Sequence, residues 1–547
     1  MMDLKASFRR MGQDLVTLPR RSLQRYALKK DPDDVIAESK DPSKSLKKTL
    51  TALDLTVLGV GAIIGAGIFV YAGLGAQIAG PHIIWSFVLV GIICALAGLA
   101  YAEMAAAIPT SGSAYAYTYS ALGETMAWVL GWALVLEYAV GAAAVAIGWS
   151  ANFVALLNAF GIALPPSLTI GYAAGGFINL PAMVLVALIT IVLVVGAKES
   201  AKLTGLFVAA KLAILAIVIG LGFFFINTHN LSLTPPPSAP DKWYAAFGAV
   251  GPILAGGAII FFAYIGFDAV STTAEETKDP KRALPIGILG SLAICTVLYI
   301  LASVVLLGMI PYTDLLPDCR FVSAGTSCIQ GNGVTVAQAS ARLGEPFGYA
   351  FQSRGIIWAA NLIRIGAIIG IASVEMVLLM GGPRVFFALA RDGLLPRSWS
   401  KVHEKFGTPS RTTIGTAVGV ALVAGFGSLN FAGQVTNIGT LFAFVLVCIG
   451  VIVLRYKRPD LARPFKVPLN IGKFPILAAI GAVLCAGLAL SLSTTTIILF
   501  FGWMGVGLMA YAAYGIRNSK LHGHVGRESA PLREMDAEIV LEEMPPG

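Results

Sequence analysis

The sequence predicts an all-α, polytopic membrane protein with twelve transmembrane helices, two of them discontinuous. Of the 547 residues, 56% are hydrophobic and only 13% are charged, about half the charged share of an ordinary soluble domain. The apolar residues fall into runs long enough to cross a bilayer core, which takes about 20 helical residues. Lysines and arginines concentrate in alternate loops between these runs, as the positive-inside rule requires. These observations exclude a soluble protein, and they attribute the net charge of +9 to membrane topology rather than to nucleic-acid binding.

Twelve apolar spans lie between a basic amino-terminal tail at 1–46 and a second tail at 518–547. They cover about 51–79, 82–108, 125–157, 180–197, 203–227, 245–275, 284–309, 356–390, 411–427, 434–454, 474–491 and 495–516. Loops on the side of the termini hold 16 lysines and arginines, and loops on the other side hold 4. We therefore expect both termini in the cytoplasm and the protein in the cell membrane. The polar linker at 109–124 is too amphipathic to cross, and we expect an interfacial helix there.

Glycines weaken the middle of the first span. Gly59, Gly61, Gly65 and Gly67 each cost a helix about 1 kcal/mol relative to alanine. Freed backbone at membrane depth is tolerated where it is buried in protein or lines a cavity. A helix break at Gly65 to Gly67 that faces a binding site is one interpretation. The other is a contact face of small residues, because Gly61 and Gly65 have the GxxxG spacing.

A second interrupted span favours the break. Gly266 and Asp268 lie inside the apolar sequence of the sixth span, and paired interrupted spans indicate a transporter's midplane substrate site. The half-helix that restarts after Gly67 would present free amides to a carboxylate, and the carbonyls of Ala263 to Ile265 suit an ammonium group. A molecule with both a carboxylate and an ammonium group fits these two helix ends, which predicts an α-amino acid substrate.

Five ionisable residues lie within the apolar spans, where each is costly and therefore a functional candidate. They are Glu137, Lys211, Asp268, Arg364 and Glu375. A buried lysine shifts its pKa readily, which predicts that Lys211 carries the coupling proton. Glu137 either binds substrate or pairs with a neighbouring helix, and Asp268 either binds substrate or caps the restarting helix. Arg364 and Glu375 are too far apart on one helix to pair, and Glu375 is a candidate for contact with a cationic substrate side chain.

Five motifs in order carry a resemblance to a known family. They are G-A-I-I-G-A-G-I-F at 61–69, L-E-Y-A around Glu137, F-F-A-Y-I-G-F-D-A-V-S-T-T-A-E-E at 261–276, P-R-V-F-F-A-L-A-R-D-G-L-L-P at 383–396 and T-N-I-G-T-L-F-A-F at 436–444. They closely resemble the amino acid-polyamine-organocation superfamily and, within it, the cationic amino acid transporter family. Twelve helices, where animal relatives have fourteen, look like a prokaryotic member.

The resemblance implies a fold, an activity and a site. The transporter domain at 47–517 would contain two inverted five-helix repeats, at about 51–227 and 245–454, and two further helices at about 474–516. It would take up amino acids by alternating access, with proton coupling through Lys211. The implied substrate contacts fall on Ile63, Ile64, Gly65, Ala66 and Gly67, and on Phe262, Ala263, Tyr264 and Ile265, with Asp268 just beyond. Ala66 stands where relatives often have a hydroxyl residue, and similar bacterial proteins accept neutral amino acids, so the cargo stays open.

Other functional classes find less support in the sequence. Four of the five histidines lie outside the spans and His82 is at the very start of the second, so we expect no metal, no cofactor and no intramembrane enzyme. The sequence has no channel filter repeat. A sodium-coupled symporter, an exchanger, a transporter-like amino acid sensor and an additional small membrane subunit stay open. Cys319 and Cys328 share a loop that we expect on the outer side, which makes them a disulfide candidate.

Overall fold

A computed structural model describes Pro32 and residues 48–519, apart from 111, 196–200, 234–247, 249, 319–331, 402 and 404–407. The tails and the disulfide candidate Cys319 and Cys328 therefore lie outside the described residues. The other four cysteines are buried and free, as expected for small apolar side chains within spans.

The described chain is almost entirely helical. Its helices are α1 Ala52–Ile63, α2 Ala72–Ala79, α3 Ile83–Ala107, α4 Ser113–Leu122, α5 Glu124–Ala159, α6 Pro166–Thr169, α7 Leu180–Val195, α8 Ala201–Gly222, α9 Val250–Ile260, α10 Pro280–Met309, α11 Val336–Gly344, α12 Pro346–Ser353, α13 Ile357–Arg391, α14 Ser410–Phe426, α15 Leu429–Lys457, α16 Ile476–Leu490, α17 Thr494–Ala510 and α18 Ile516–Asn518. The short strands β1 Asn470–Ile471 and β2 Phe474–Pro475 form an antiparallel pair before α16.

By length and composition, eight helical stretches of the described residues can cross a membrane. The first, Ala52–Ala107, contains α1, α2 and α3, and three shorter apolar helices, α7, α14 and α16, add to the eight. These helices confirm the all-α polytopic class. The count of twelve spans and the inverted repeats stay predictions.

Two polar regions contain more structure than the sequence indicated. The linker at 109–124 does form a helix, α4, but most of its side chains are buried, and it packs against α5 and α15. The loop after α10 contains α11 and α12, which the sequence analysis left unassigned. Thr335 begins α11 with a capping box, in which its hydroxyl accepts from the N–H of Gln338 at 3.2 Å and the Gln338 side chain accepts in return at 3.0 Å.

A buried ion pair joins this loop to α13. Arg364 donates from Nε and Nη2 to the two carboxyl oxygens of Glu345, at 2.8 and 2.9 Å. Its guanidinium also donates to Asn361 and Gln352. Burial raises the pKa of Glu345 and the Arg364 hydrogen bonds lower it, with a net rise. Arg364, a candidate for function in the sequence, therefore has a structural partner that sequence analysis did not assign.

We expect Glu345→Gln to destabilise the fold by about 3–5 kcal/mol, because it leaves the Arg364 charge buried without its partner. Thermal unfolding in detergent measures the loss. Asp460→Asn is the matched control, since Arg458 and the exposed Asp460 form a surface pair at 3.0 Å and surface pairs contribute little. Equal melting temperatures for the two variants would contradict the expectation.

Candidate substrate site

The first break lies at the end of α1. Thr51 and Asp54 begin this helix with a capping box, and the helix ends at Ile63, where Ile64 turns to extended backbone with φ −75° and ψ 108°. The chain restarts as a π-helical turn at Gly67–Tyr71 and continues into α2. The predicted break at Gly65 to Gly67 is therefore one to two residues too late, because Gly67 already belongs to the second half.

The glycines also make the close contacts of the alternative interpretation. A Cβ added at Gly61 would lie 2.5 Å from Cγ2 of Val208, and one added at Gly59 would lie 2.5 Å from Oγ of Ser291. The upstream glycines thus allow α8 and α10 to approach α1, while the break itself begins at Ile64. Both sequence interpretations describe part of the same segment.

Two side chains bind the carbonyls at the end of α1. Lys211 on α8 is buried, and its Nζ donates to the carbonyl of Gly61 at 2.8 Å. Tyr299 on α10 is fully buried, and its hydroxyl donates to the carbonyl of Ile63 at 2.9 Å. The last carbonyls of a helix lack intrahelical partners and form the negative end of its dipole. The Lys211 ammonium thus contacts the site's backbone, one turn before the break.

The second break follows α9. After Ile260 the chain forms a 3₁₀ turn, Phe261–Tyr264, and Ile265 is extended. Gly266 has φ +120°, a conformation that L side chains rarely adopt, and a Cβ there would lie 2.8 Å from the carbonyl oxygen of Ala62. Gly266 is therefore required both for its backbone conformation and for its approach to α1.

Asp268 is the first residue of the restarting segment. The following 3₁₀ segment, Asp268–Glu276, has no side-chain cap at its start. Instead, Oδ1 of Asp268 accepts the N–H of Gly266 at 3.2 Å. Asp268 therefore lies inside the segment and holds the backbone of the break that precedes it. Its carboxyl group also accepts backbone N–H groups of Asp268 and Ala269 at the start of the segment, and the capping alternative stays a prediction.

The two breaks contact each other directly. A Cβ added at Gly67 would overlap the Cα of Ala263, so the backbones meet there. Beside this contact the rings of Tyr71 and Phe262 stack with centroids 4.2 Å apart, and the Tyr71 hydroxyl donates to the carbonyl of Leu429 at 3.0 Å. The contact gives the break region a fixed geometry.

A cavity lies between the breaks, α5 and α13. Its lining consists of Ala62, Ile63, Gly65, Ala66, Gly67, Glu137, Tyr138, Gly141, Phe262, Ile265, Gly266, Asp268, Ala269, Val374, Val377, Leu378 and Thr436. Most of this lining is apolar, and the acidic side chains in it are Glu137 and Asp268. The cavity therefore combines interrupted backbone, two carboxyl groups and an aliphatic wall from α13.

The cavity brings together eight of the twelve predicted substrate residues. These eight are Ile63, Gly65, Ala66, Gly67, Glu137, Phe262, Ile265 and Asp268. Ile64, Ala263, Tyr264 and Glu375 are not in the lining. The Tyr264 hydroxyl donates to the carbonyl of Phe87 at 2.7 Å, so this side chain points toward α3. Glu375 lies on α13 beside the wall residue Val374, outside the cavity, and the geometry gives its predicted substrate contact no support.

Glu137 is buried and forms a hydrogen bond with Thr440, while its Oε2 has no partner among the described residues. It faces the cavity together with Asp268. This arrangement accommodates both alternatives from the sequence, because one oxygen contacts the neighbouring helix α15 and the other is available in the cavity.

Sequence analysis missed Asn437 on α15. This residue is fully buried and its amide donates to the carbonyls of Ala258 and Ile259, at 2.8 and 3.1 Å, in the last turn of α9. It therefore binds the carbonyl end of α9 before the second break. The sequence feature that could have identified Asn437 is a polar amide side chain within an apolar span, in the motif at 436–444.

The described residues contain no group of three or more histidine, cysteine or acidic side chains placed to hold a metal ion.

This fold and cavity define a helical membrane transporter with a central site between two interrupted helices. A family model described as amino acid permease matches residues 50–509, and the chain belongs to this family. It is 41% identical to the branched-chain amino acid permease BcaP of Bacillus subtilis, over 90% of this chain and 98% of that protein. The methylthioribose transporter of the same organism is also 41% identical, with the same coverage. The vacuolar cationic amino acid transporter 4 of Arabidopsis thaliana is 37% identical, over 79% of this chain and 67% of that protein. None of these proteins is an enzyme by name, and the chain is a permease rather than an enzyme.

Proposed function

We propose that this permease is a proton-coupled amino acid symporter that works by alternating access and takes neutral, apolar amino acids. The observation that carries the proposal is the meeting of the two helix breaks at one cavity. The amides at the start of the π-helical turn at Gly67 favour a carboxylate. The carbonyl end at Phe262 to Ile265, together with Asp268, favours an ammonium group.

The aliphatic wall supports a neutral cargo. Val374, Val377 and Leu378 face the breaks across the cavity, and apolar side chains are the usual partners of an apolar substrate group. The relative named as a branched-chain amino acid permease is consistent with this chemistry. The acids in the described lining of the cavity are Glu137 and Asp268, and Asp268 already accepts a backbone N–H.

Lys211 supports proton coupling. Its Nζ contact with the Gly61 carbonyl places an ionisable group at the end of α1, next to the break. A protonated amine binds a helix-terminal carbonyl more strongly than a neutral amine does. Protonation of Lys211 can therefore stabilise one arrangement of α1, and release of the proton can weaken it.

The proposal also includes a location in the cell membrane with both termini in the cytoplasm. The basis is the excess of lysines and arginines in the loops on the side of the termini.

Uptake into proteoliposomes tests the proposal. A panel of leucine, isoleucine, alanine, arginine and methylthioribose is offered under an inward proton gradient and, separately, under an inward sodium gradient. We expect accumulation of leucine or isoleucine with protons alone. A sodium requirement would contradict proton coupling, and preference for arginine or methylthioribose would contradict the cargo. Exchange without net accumulation, or binding without transport, would replace symport by an exchanger or a sensor.

A further inference from the structure

Besides Glu137 and Asp268, a further buried acid lies in the membrane-spanning part of the bundle, outside the cavity. Glu375 is near the middle of α13 and is fully buried. Neither of its carboxyl oxygens has a hydrogen-bond partner among the described residues. Buried polar groups nearly always have partners in folded proteins, so a carboxyl group without one requires a physical explanation.

The residues beside Glu375 on α13 pack against apolar side chains. One turn further along α13, Leu379 belongs to a cluster of buried side chains from four helices, which we call the second apolar cluster. Its members are Ala142, Ala143 and Ala146 on α5, Ala182, Leu185, Val186 and Ile189 on α7, Leu379 on α13, and Ala417, Val420 and Ala424 on α14. Ala372, Met376 and Leu378, which flank Glu375 on α13, pack against the same cluster.

The titratable groups that the structure describes on the neighbouring helices do not pair with Glu375. Helix α7 contains none, and α14 contains only the exposed Arg411. On α5, Glu137 lines the cavity and Tyr138 packs against Gly381.

The cationic side chains that the structure describes on α8 and α13 are likewise engaged or, like Arg391, exposed. The aliphatic part of the Lys211 side chain packs against Gly370, and its Nζ donates to the carbonyl of Gly61. Arg364 is paired with Glu345, and Arg384 is exposed. No cation among the described residues forms an ion pair with Glu375.

An ionised carboxylate in such a place is strongly disfavoured. Removing one carboxylate from water costs several kcal/mol even after relaxation of the protein, and only a nearby countercharge offsets the cost. A protonated carboxyl group is neutral and avoids most of this cost. We propose that Glu375 binds a proton in this conformation, which makes it a proton site within the α5, α7, α13 and α14 group, separate from Lys211 and from the cavity. The proposal does not depend on the proposed cargo or coupling.

Infrared spectroscopy of the full-length protein in lipid at neutral pH tests the proposal directly. A protonated carboxyl group has a C=O stretching band that is resolved from the carboxylate bands. We expect Glu375→Gln to remove one carboxylic acid band from the parent spectrum. Asp460→Asn is the control, because hydrogen bonds from Arg458 lower the pKa of this exposed acid; it removes only carboxylate intensity.

If Glu375→Gln does not yield folded protein, Glu375→Leu provides the same comparison with an apolar side chain of similar size. Loss of a carboxylic acid band in either variant supports the proton site. An unchanged carboxylic acid region, with loss of carboxylate intensity instead, would show that Glu375 is ionised and would overturn the proposal.

Discussion

Replacement of Lys211 by alanine is expected to abolish uptake driven by a proton gradient. The variant removes the proposed proton carrier, and it also leaves the partly buried carbonyl of Gly61 without the Lys211 hydrogen bond. An unsatisfied buried acceptor costs about 1–3 kcal/mol, so the protein remains folded while the end of α1 is less constrained. Labelled substrate uptake into proteoliposomes, with and without a pH gradient, measures the effect.

The variant Lys211→Arg tests whether the positive charge alone is sufficient or whether release of the proton is also needed. Arginine keeps the positive charge and the donor, but it is effectively always protonated in proteins. We therefore expect this variant to bind substrate, as shown by thermal stabilisation, and to lose accumulation against a gradient. Accumulation that still follows the pH gradient in Lys211→Arg or in Lys211→Ala would remove this residue from the coupling mechanism.

The second large effect is expected at Gly67, where the two breaks meet. In Gly67→Ala the new Cβ would overlap the Cα of Ala263, so the backbones must separate. Overpacking of this kind typically costs about 1–3 kcal/mol, and 1.4 kcal/mol corresponds to about tenfold in affinity. We expect substrate affinity to fall about tenfold or more, measured as Kd in detergent or as the KM of uptake.

Two glycines provide graded controls. A Cβ at Gly65 would lie 2.6 Å from Cγ2 of Val374, a side-chain atom that can move more easily than backbone, so a smaller loss is expected. A Cβ at Gly502 on α17 has no atom within 4 Å, so Gly502→Ala should leave affinity unchanged. Equal affinities for Gly67→Ala and Gly502→Ala would show that contact between the breaks does not shape the site.

Several properties of this protein follow from local sequence. The apolar runs identify membrane helices because a span must satisfy its own backbone hydrogen bonds and match the bilayer in length. The helices α13 and α14 begin and end within one residue of the predicted spans, and the glycines predict interruption near Gly65 and Gly266 because glycine destabilises helices wherever they lie. These are properties of short segments, and they do not require knowledge of the neighbours.

Tertiary structure decided what each buried polar side chain does. Arg364 and Glu375 look alike in sequence as charges within one span, yet Arg364 pairs with Glu345 from a loop and Glu375 lies among apolar side chains. Asp268 follows a helix break, yet it lies inside the restarting segment and its carboxyl group binds the amide of Gly266. The side-chain amide of Asn437 binds backbone carbonyls at the end of α9, and no sequence motif around Asn437 indicates this partner. The burial cost of a polar group depends on the partners that distant segments bring to it, and only the packed bundle determines those partners.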